Sequence, residues 1–208
     1  MDTNELLSQL SSFDYTHSNN EEEAVVQLTE RFKEIARTMM YGGYIDVWGI
    51  YRIYIRDVEF YFHEENGLED NIVYHRNEKF EDIESLPYFP TMSLHAHASG
   101  YDITFEKEGV RASALIRKYA VYDCRTKEFI KRNKPKSAPK SCKDWEDYRS
   151  TYLYDFLNGF SLTNENRILW IDEEIGKEKS VNGPFVRINA KAREWKFNAA
   201  EDISSLVK

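Results

Sequence analysis

The chain predicts an α+β fold: a single domain with a mixed, mostly antiparallel, curved sheet and a few flanking helices. Three features predict it. Apolar residues at helical spacing are confined mainly to the first forty positions. Aromatic and β-branched runs then dominate from residue 44 to 123. Short glycine-containing segments divide those runs at hairpin spacing.

Each element can be justified in order. Residues 3–11 are weakly amphipathic. Residues 20–40 are a stronger helix: Asn19 or Asn20 supplies the cap, and Glu21, Glu22 and Glu23 sit where the helix dipole favours negative charge. Val25, Leu28, Phe32, Ile35 and Met39 recur at helical spacing, and Gly42-Gly43 ends the run. Residues 1–19 read as an extension to a domain spanning 20–208. Residues 44–65 predict two or three strands turning near Gly49. Residues 70–75 read as a short strand or loop, and 78–92, with Pro87 and Pro90, as an irregular connection. Residues 99–123 predict a hairpin turning at Glu106-Lys107-Glu108-Gly109. A basic loop at 131–142, a helix at 144–160, a strand within 167–174 and a strand over 183–191 entered from Gly183-Pro184 follow. The closing residues from Arg193 complete the core.

Composition bounds the function. The 208 residues are 41% apolar and 31% charged, with 14 Tyr and 12 Phe, which excludes a disordered tail. No apolar stretch approaches the roughly 18 residues needed to span a bilayer. The first residues lack the basic region of a secretory signal, so a cytoplasmic location is the default expectation. Cys124 and Cys142 suggest neither a disulfide framework nor a metal pair. Net charge is −8, which argues against non-specific coating of nucleic acid. Yet residues 111–143 hold eleven Lys or Arg against Asp123 and Glu128, a local +9 that leaves −17 elsewhere. Such asymmetry suits either an anionic partner or a solvated basic loop.

On an extended strand, Glu59, Tyr61 and His63 share one face, while Val58, Phe60 and Phe62 share the other. The polar trio lines either a cleft or a half-solvated sheet face. Arg117 lies among apolar neighbours, where it pairs with a carboxylate such as Glu59 or contacts a phosphate. His95 and His97 form a His-x-His pair that suits a divalent metal, with His63 or His75 as a third ligand; a packed or hydrogen-bonded pair is the alternative. No phosphate-binding loop, nucleophile elbow or HExxH motif is present.

The order of segments resembles the alkyladenine (3-methylpurine) DNA glycosylase family. An amphipathic helix leads to strands and a motif of the type I-V-E-x-E-A-Y, set here against Val58-Glu59-Phe60-Tyr61-Phe62-His63. A His-containing loop compares with Val73-Tyr74-His75-Arg76-Asn77. A Tyr-rich strand and a Leu-Leu-Arg-like element compare with 99–105 and with Ala114-Leu115-Ile116-Arg117. The closing Arg-Ile-Gly pattern resembles Val186-Arg187-Ile188-Asn189, followed by Trp195-Lys196-Phe197.

The resemblance implies base flipping and hydrolysis of the bond between a damaged purine and its sugar, as in base-excision repair. Glu59 becomes the water-positioning acid, with Tyr61 and Arg117 as its catalytic companions. His63, His75 and Tyr101 become substrate-binding residues. The segment 111–143 becomes the DNA-phosphate surface. No cofactor or metal is implied. In this register the family's second acid position holds Tyr61. The hairpin turn that inserts into DNA carries Glu106 and Glu108, where phosphates approach. Two alternatives stand beside this reading: a catalytically inactive nucleic-acid or small-ligand binding protein on the same fold, and a metal-dependent hydrolase using His95 and His97.

Overall fold

The computed structural model describes residues 4–14, 20–65, 67–70, 73, 87–97, 100–130, 168–176, 181–185 and 193–207, with the backbone alone at 96, 97 and 100. The loop at 131–142, the helix at 144–160, His75 and Cys142 lie outside these residues.

Two helices come first, α1 (Glu5–Ser11) and α2 (Glu21–Tyr41). Asn20 caps α2: its side-chain oxygen accepts a hydrogen bond from the Glu22 N–H at 3.0 Å. The three glutamates of the first turn face the positive end of the dipole. Gly42 stops the helix, donating its N–H to the Thr38 carbonyl. The next residue must also be glycine. A Cβ on Gly43 would run into the Ile171 carbonyl and the Trp170 ring.

The strands are β1 (Gly43–Val47), β2 (Tyr51–Glu64), β3 (Leu94–His97), β4 (Gly100–Thr104), β5 (Val110–Asp123), β6 (Glu128–Phe129), β7 (Leu169–Asp172), β8 (Val181–Phe185) and β9 (Lys196–Ala199). A short 3-10 turn, Ile203–Ser205, follows β9. They form a curled antiparallel half-barrel sheet with two helices, in one domain. Every pairing between described strands is antiparallel, so the expected mixed sheet is not seen among them.

The backbone of the sheet is the pair β2 and β5, aligned from Tyr51↔Asp123 to Glu64↔Val110. β4 and β3 extend it beyond β5. On the other edge of β2, β1 takes residues 51–53 and β9 takes residues 57–59. The β1–β2 turn places Trp48 and Gly49 at positive φ, the geometry that suits the right-handed twist of two paired strands. The strand expected from Gly183-Pro184 begins earlier, at Val181. That dipeptide sits within β8, where the register against β9 is irregular.

One face of the sheet is apolar and lies under the helices. Phe32 of α2 stacks on Phe60 at 4.6 Å and meets Trp195 edge-on at 5.1 Å. Residues 4–14, within the expected extension, pack on the domain. Leu6, Leu10 and Phe13 belong to the main core, and Phe13 stacks on Phe32. The burial of those three side chains ties α1 to the domain, because removing it would expose the rings beneath.

Candidate active site

The opposite face of the same strands is polar, and it is buried. Alternation along β2 puts Asp57, Glu59, Tyr61 and His63 on this face. Across the sheet, Glu59 stands opposite Leu115, which stands opposite Asp102, which stands opposite His95. One row over, Tyr61 stands opposite Ser113, then Thr104.

An irregularity at the middle of the β2–β5 pair shapes the site. Ile55 pairs with Tyr119, Asp57 with Lys118 and Val58 with Ile116, which leaves Arg56 and Arg117 as extra residues. On β2, Ile55 lies in the core, and Arg56 also points toward the helices, donating to the Met40 and Glu201 carbonyls at 2.8 and 2.7 Å. On β5, Tyr119 and Ile116 lie in the core, so the two residues between them, Arg117 and Lys118, are both released to the polar face. Lys196 arrives from β9, directly opposite Glu59.

The result is two carboxylates under three cations. Glu59 is 1% exposed. Its Oε2 accepts a hydrogen bond from the Tyr61 hydroxyl at 3.0 Å, and its Oε1 lies 3.7 Å from Arg117 Nε. That second contact is an ion pair too long for a hydrogen bond, and Oε1 has no hydrogen-bond partner among the described residues. Asp57 is 0% exposed. Its Oδ2 lies 3.6 Å from Lys196 Nζ, and neither of its oxygens has a hydrogen-bond partner among the described residues. Burial pushes its carboxyl up to about 6; Lys196 and Lys118 oppose the shift, Glu59 adds to it, and Arg117 opposes it. The cations sit nearer solvent, with the Arg117 and Lys196 side chains 21% and 20% exposed.

Chemically, this arrangement offers an unfilled oxygen at Glu59 and, at Asp57, a carboxyl that holds its proton up to about pH 6. Its cationic rim can receive an anion. Sequence reasoning missed Asp57 and Lys196, and held Lys118 only as one cation of the basic 111–143 segment. Asp57 was available in the alternation of Asp57, Glu59, Tyr61 and His63. The two lysines depend on a bulge and on a strand pairing more than a hundred residues away.

The other expected residues are placed as follows. His63 is buried at the far end of the face, its Nδ1 accepting the Asp70 N–H at 3.2 Å. Tyr61 packs with Leu115 and Val73. The trio is therefore enclosed, which corrects the alternative of a half-solvated sheet face. Tyr101 is not with them. It lies on the helix-covered side, in the main core, because Asp102 is the residue of β4 that faces the site. His95 packs against Phe89, with ring centres 4.7 Å apart. Among the described residues no group of three or more His, Cys, Asp or Glu is placed to hold a metal ion, and the His97 side chain lies outside them.

The expected phosphate surface over 111–143 needs correction in its described part. Arg111 is buried and ion-paired to Glu106 at 3.0 Å, with its guanidinium over the Tyr88 ring. The same Glu106 accepts the Phe89 N–H at 2.6 Å. Glu106 therefore faces inward and does not meet phosphates from the hairpin turn. No described helix is long and apolar enough to cross a membrane. Comparison with protein-family models found no match, and neither did comparison with curated proteins or with solved structures.

Proposed function

We propose that the chain is a DNA glycosylase-type hydrolase that cleaves the bond between a damaged purine and deoxyribose after base flipping. The observation that carries this reading is Glu59. One of its oxygens is held by Tyr61, and the other has no hydrogen-bond partner among the described residues. An acceptor anchored on one side and unfilled on the other suits the positioning of a water molecule. The burial of Asp57 also supports setting the family motif two residues earlier than sequence order suggested. Asp57 and Glu59 then occupy the two acid positions of E-x-E-A-Y, and Tyr61 the aromatic one.

In this mechanism Glu59 takes a proton from the water that attacks C1′. Arg117, 3.7 Å away, orients Glu59. Arg117, Lys118 and Lys196 receive the phosphates flanking the extruded nucleotide, and Tyr61 borders the base. Release of alkylated purines from duplex DNA tests it, scored as abasic sites. Glu59→Gln is expected to lower the rate at least ~10²-fold while retaining binding. Equal release by wild type and variant, or none by either, removes the hydrolase reading.

A second reading has its own support. Asp57 and Glu59 are almost wholly covered, as suits a non-catalytic binding protein whose charges organise the fold. It predicts that wild type and Glu59→Gln bind nucleic acid or nucleoside equally and are both inert. The metal-hydrolase reading rests on His95 and His97 alone, and elemental analysis of purified protein decides it.

A further inference from the structure

We propose that Lys196 forms an imine with the C1′ aldehyde of the abasic product and cuts the strand on its 3′ side, a lyase step that follows base release. The inference rests on the hydrolase reading above and gives the same site a second activity.

The product sets the chemistry. Hydrolysis at C1′ leaves a sugar whose ring opens to an aldehyde, and a lysine amine is the side chain that condenses with a carbonyl. Two lysines reach this face, Lys118 from β5 and Lys196 from β9. Lys196 is the better placed. Its partner across the strand pair is Glu59, and directly opposed residues point to the same side of a sheet. Trp195 and Phe197, on either side of it, are buried in the main core, so alternation turns Lys196 to the site. The amine therefore rises beside the carboxylate that positions the attacking water.

Its surroundings leave it available. Nζ lies 3.6 Å from Asp57 Oδ2, too far for a hydrogen bond, and makes none among the described residues. The side chain is 20% exposed, open to a ligand yet walled by the strands around it. The Lys107 amine, by contrast, is spent on the Phe13 carbonyl at 3.4 Å and on Asp14 at 3.2 Å. Asp57 is also the nearest acceptor for the proton that an ammonium must lose before it can attack. Burial raises that carboxyl to about 6, so its ionised form accepts a proton more readily than an exposed carboxylate does. The transfer discharges an ion pair that is partly desolvated and closed by no hydrogen bond.

The step balances. The Lys196 ammonium passes one proton to Asp57, and the neutral amine adds to C1′. The new N–C bond sends a second proton from nitrogen to the carbonyl oxygen. Asp57 returns its proton to that oxygen, which leaves as water, and a protonated imine remains. C2′ then loses a proton to Glu59. The electron pair of that C–H bond moves into the chain, the C3′–O bond breaks, and its pair leaves with the phosphate. Water hydrolyses the imine, freeing Lys196 and an unsaturated aldehyde, and Glu59 gives its proton to solvent. One water is released and one consumed, with no oxidant or reductant.

The test uses a duplex with one preformed abasic site, made by removing a uracil. The aldehyde is then present whether or not the protein releases bases. Wild type and Lys196→Arg are incubated with it under borohydride, which reduces an imine to a stable amine. Wild type is expected to cross-link, with peptide mass spectrometry placing the adduct on Lys196. Without borohydride it is expected to cut 3′ of the site. Lys196→Arg keeps the charge that receives phosphate but carries no nucleophilic amine, so it is expected to bind the duplex and lose both cross-link and cutting. No cross-link by wild type, an adduct on another residue, or a cross-link that survives in Lys196→Arg overturns the assignment. Duplexes carrying an alkylated purine are run in parallel and scored for free base. Base release without a cross-link defeats the lyase and leaves the hydrolase reading standing. A cross-link at Lys196 without base release defeats the hydrolase reading and leaves the amine its role.

Discussion

Two buried charge clusters lie on the same face of the same pair of strands, and they are built differently. Toward one end, Arg111 and Glu106 meet at 3.0 Å. Further contacts run to the Pro87 carbonyl at 3.1 Å, the Phe89 N–H and the Tyr88 ring. Toward the middle, Asp57 and Glu59 sit 3.6 and 3.7 Å from their cations, with oxygens left over. Both clusters incur desolvation. Only in the first do the opposite charges themselves meet at hydrogen-bond distance. The first pins residues 87–89 to the sheet and is structural. The second retains unmet hydrogen-bonding capacity among the described residues.

The comparison can be broken first at Arg111. Replacing Arg111 with Met leaves Glu106 charged and buried, and is expected to cost about 3–5 kcal/mol in urea unfolding. A loss below about 1 kcal/mol would mean the pair is not the structural clamp described. Asp57→Asn should act in the opposite direction. Its folded carboxyl titrates near 6, above the unfolded value near 3.8, so the folded state binds the extra proton between those values. The stability linked to that proton is fully present below about pH 4 and lost as pH rises through 6. Asparagine cannot ionise, so the variant should be more stable than wild type at pH 7.5, by up to about 3 kcal/mol, with the difference vanishing near pH 4. Denaturation at the two pH values checks this; a destabilised variant at pH 7.5 would place Asp57 among the structural charges. The smallest effect is expected from Tyr61→Phe, about 1–2 kcal/mol, since one buried hydrogen bond to Glu59 is lost while the ring still packs against Leu115 and Val73. Thermal unfolding at neutral pH measures it.

Much of the frame was legible because local rules govern it. The Asn20 cap, the glutamates after it and Gly42 mark α2 without reference to the rest of the chain. The alternation of Val58, Phe60 and Phe62 with Glu59, Tyr61 and His63 assigns β2 its two faces. The site was only partly legible. Tyr101 belongs to an aromatic-rich strand, yet which face it takes depends on register against β5. Arg111 looks like a surface cation in a basic run, and only the return of Glu106 across the hairpin turn makes it a core residue. Phe13 looks like part of a polar extension until Phe32 provides a surface to stack on.

The sequence by itself determined the strand faces, the long helix and the acid, phenol and imidazole on β2, because side-chain alternation and helix caps are encoded within a few neighbouring residues. Tertiary structure alone decided which charges are satisfied. The paired irregularity at Arg56 and Arg117 sends one arginine to the helices and releases Arg117 and Lys118 to the site, and β9 brings Lys196 from the far end of the chain. Whether a buried carboxylate finds a short partner or a distant one depends on strand register, and register is set by the packing of the whole sheet.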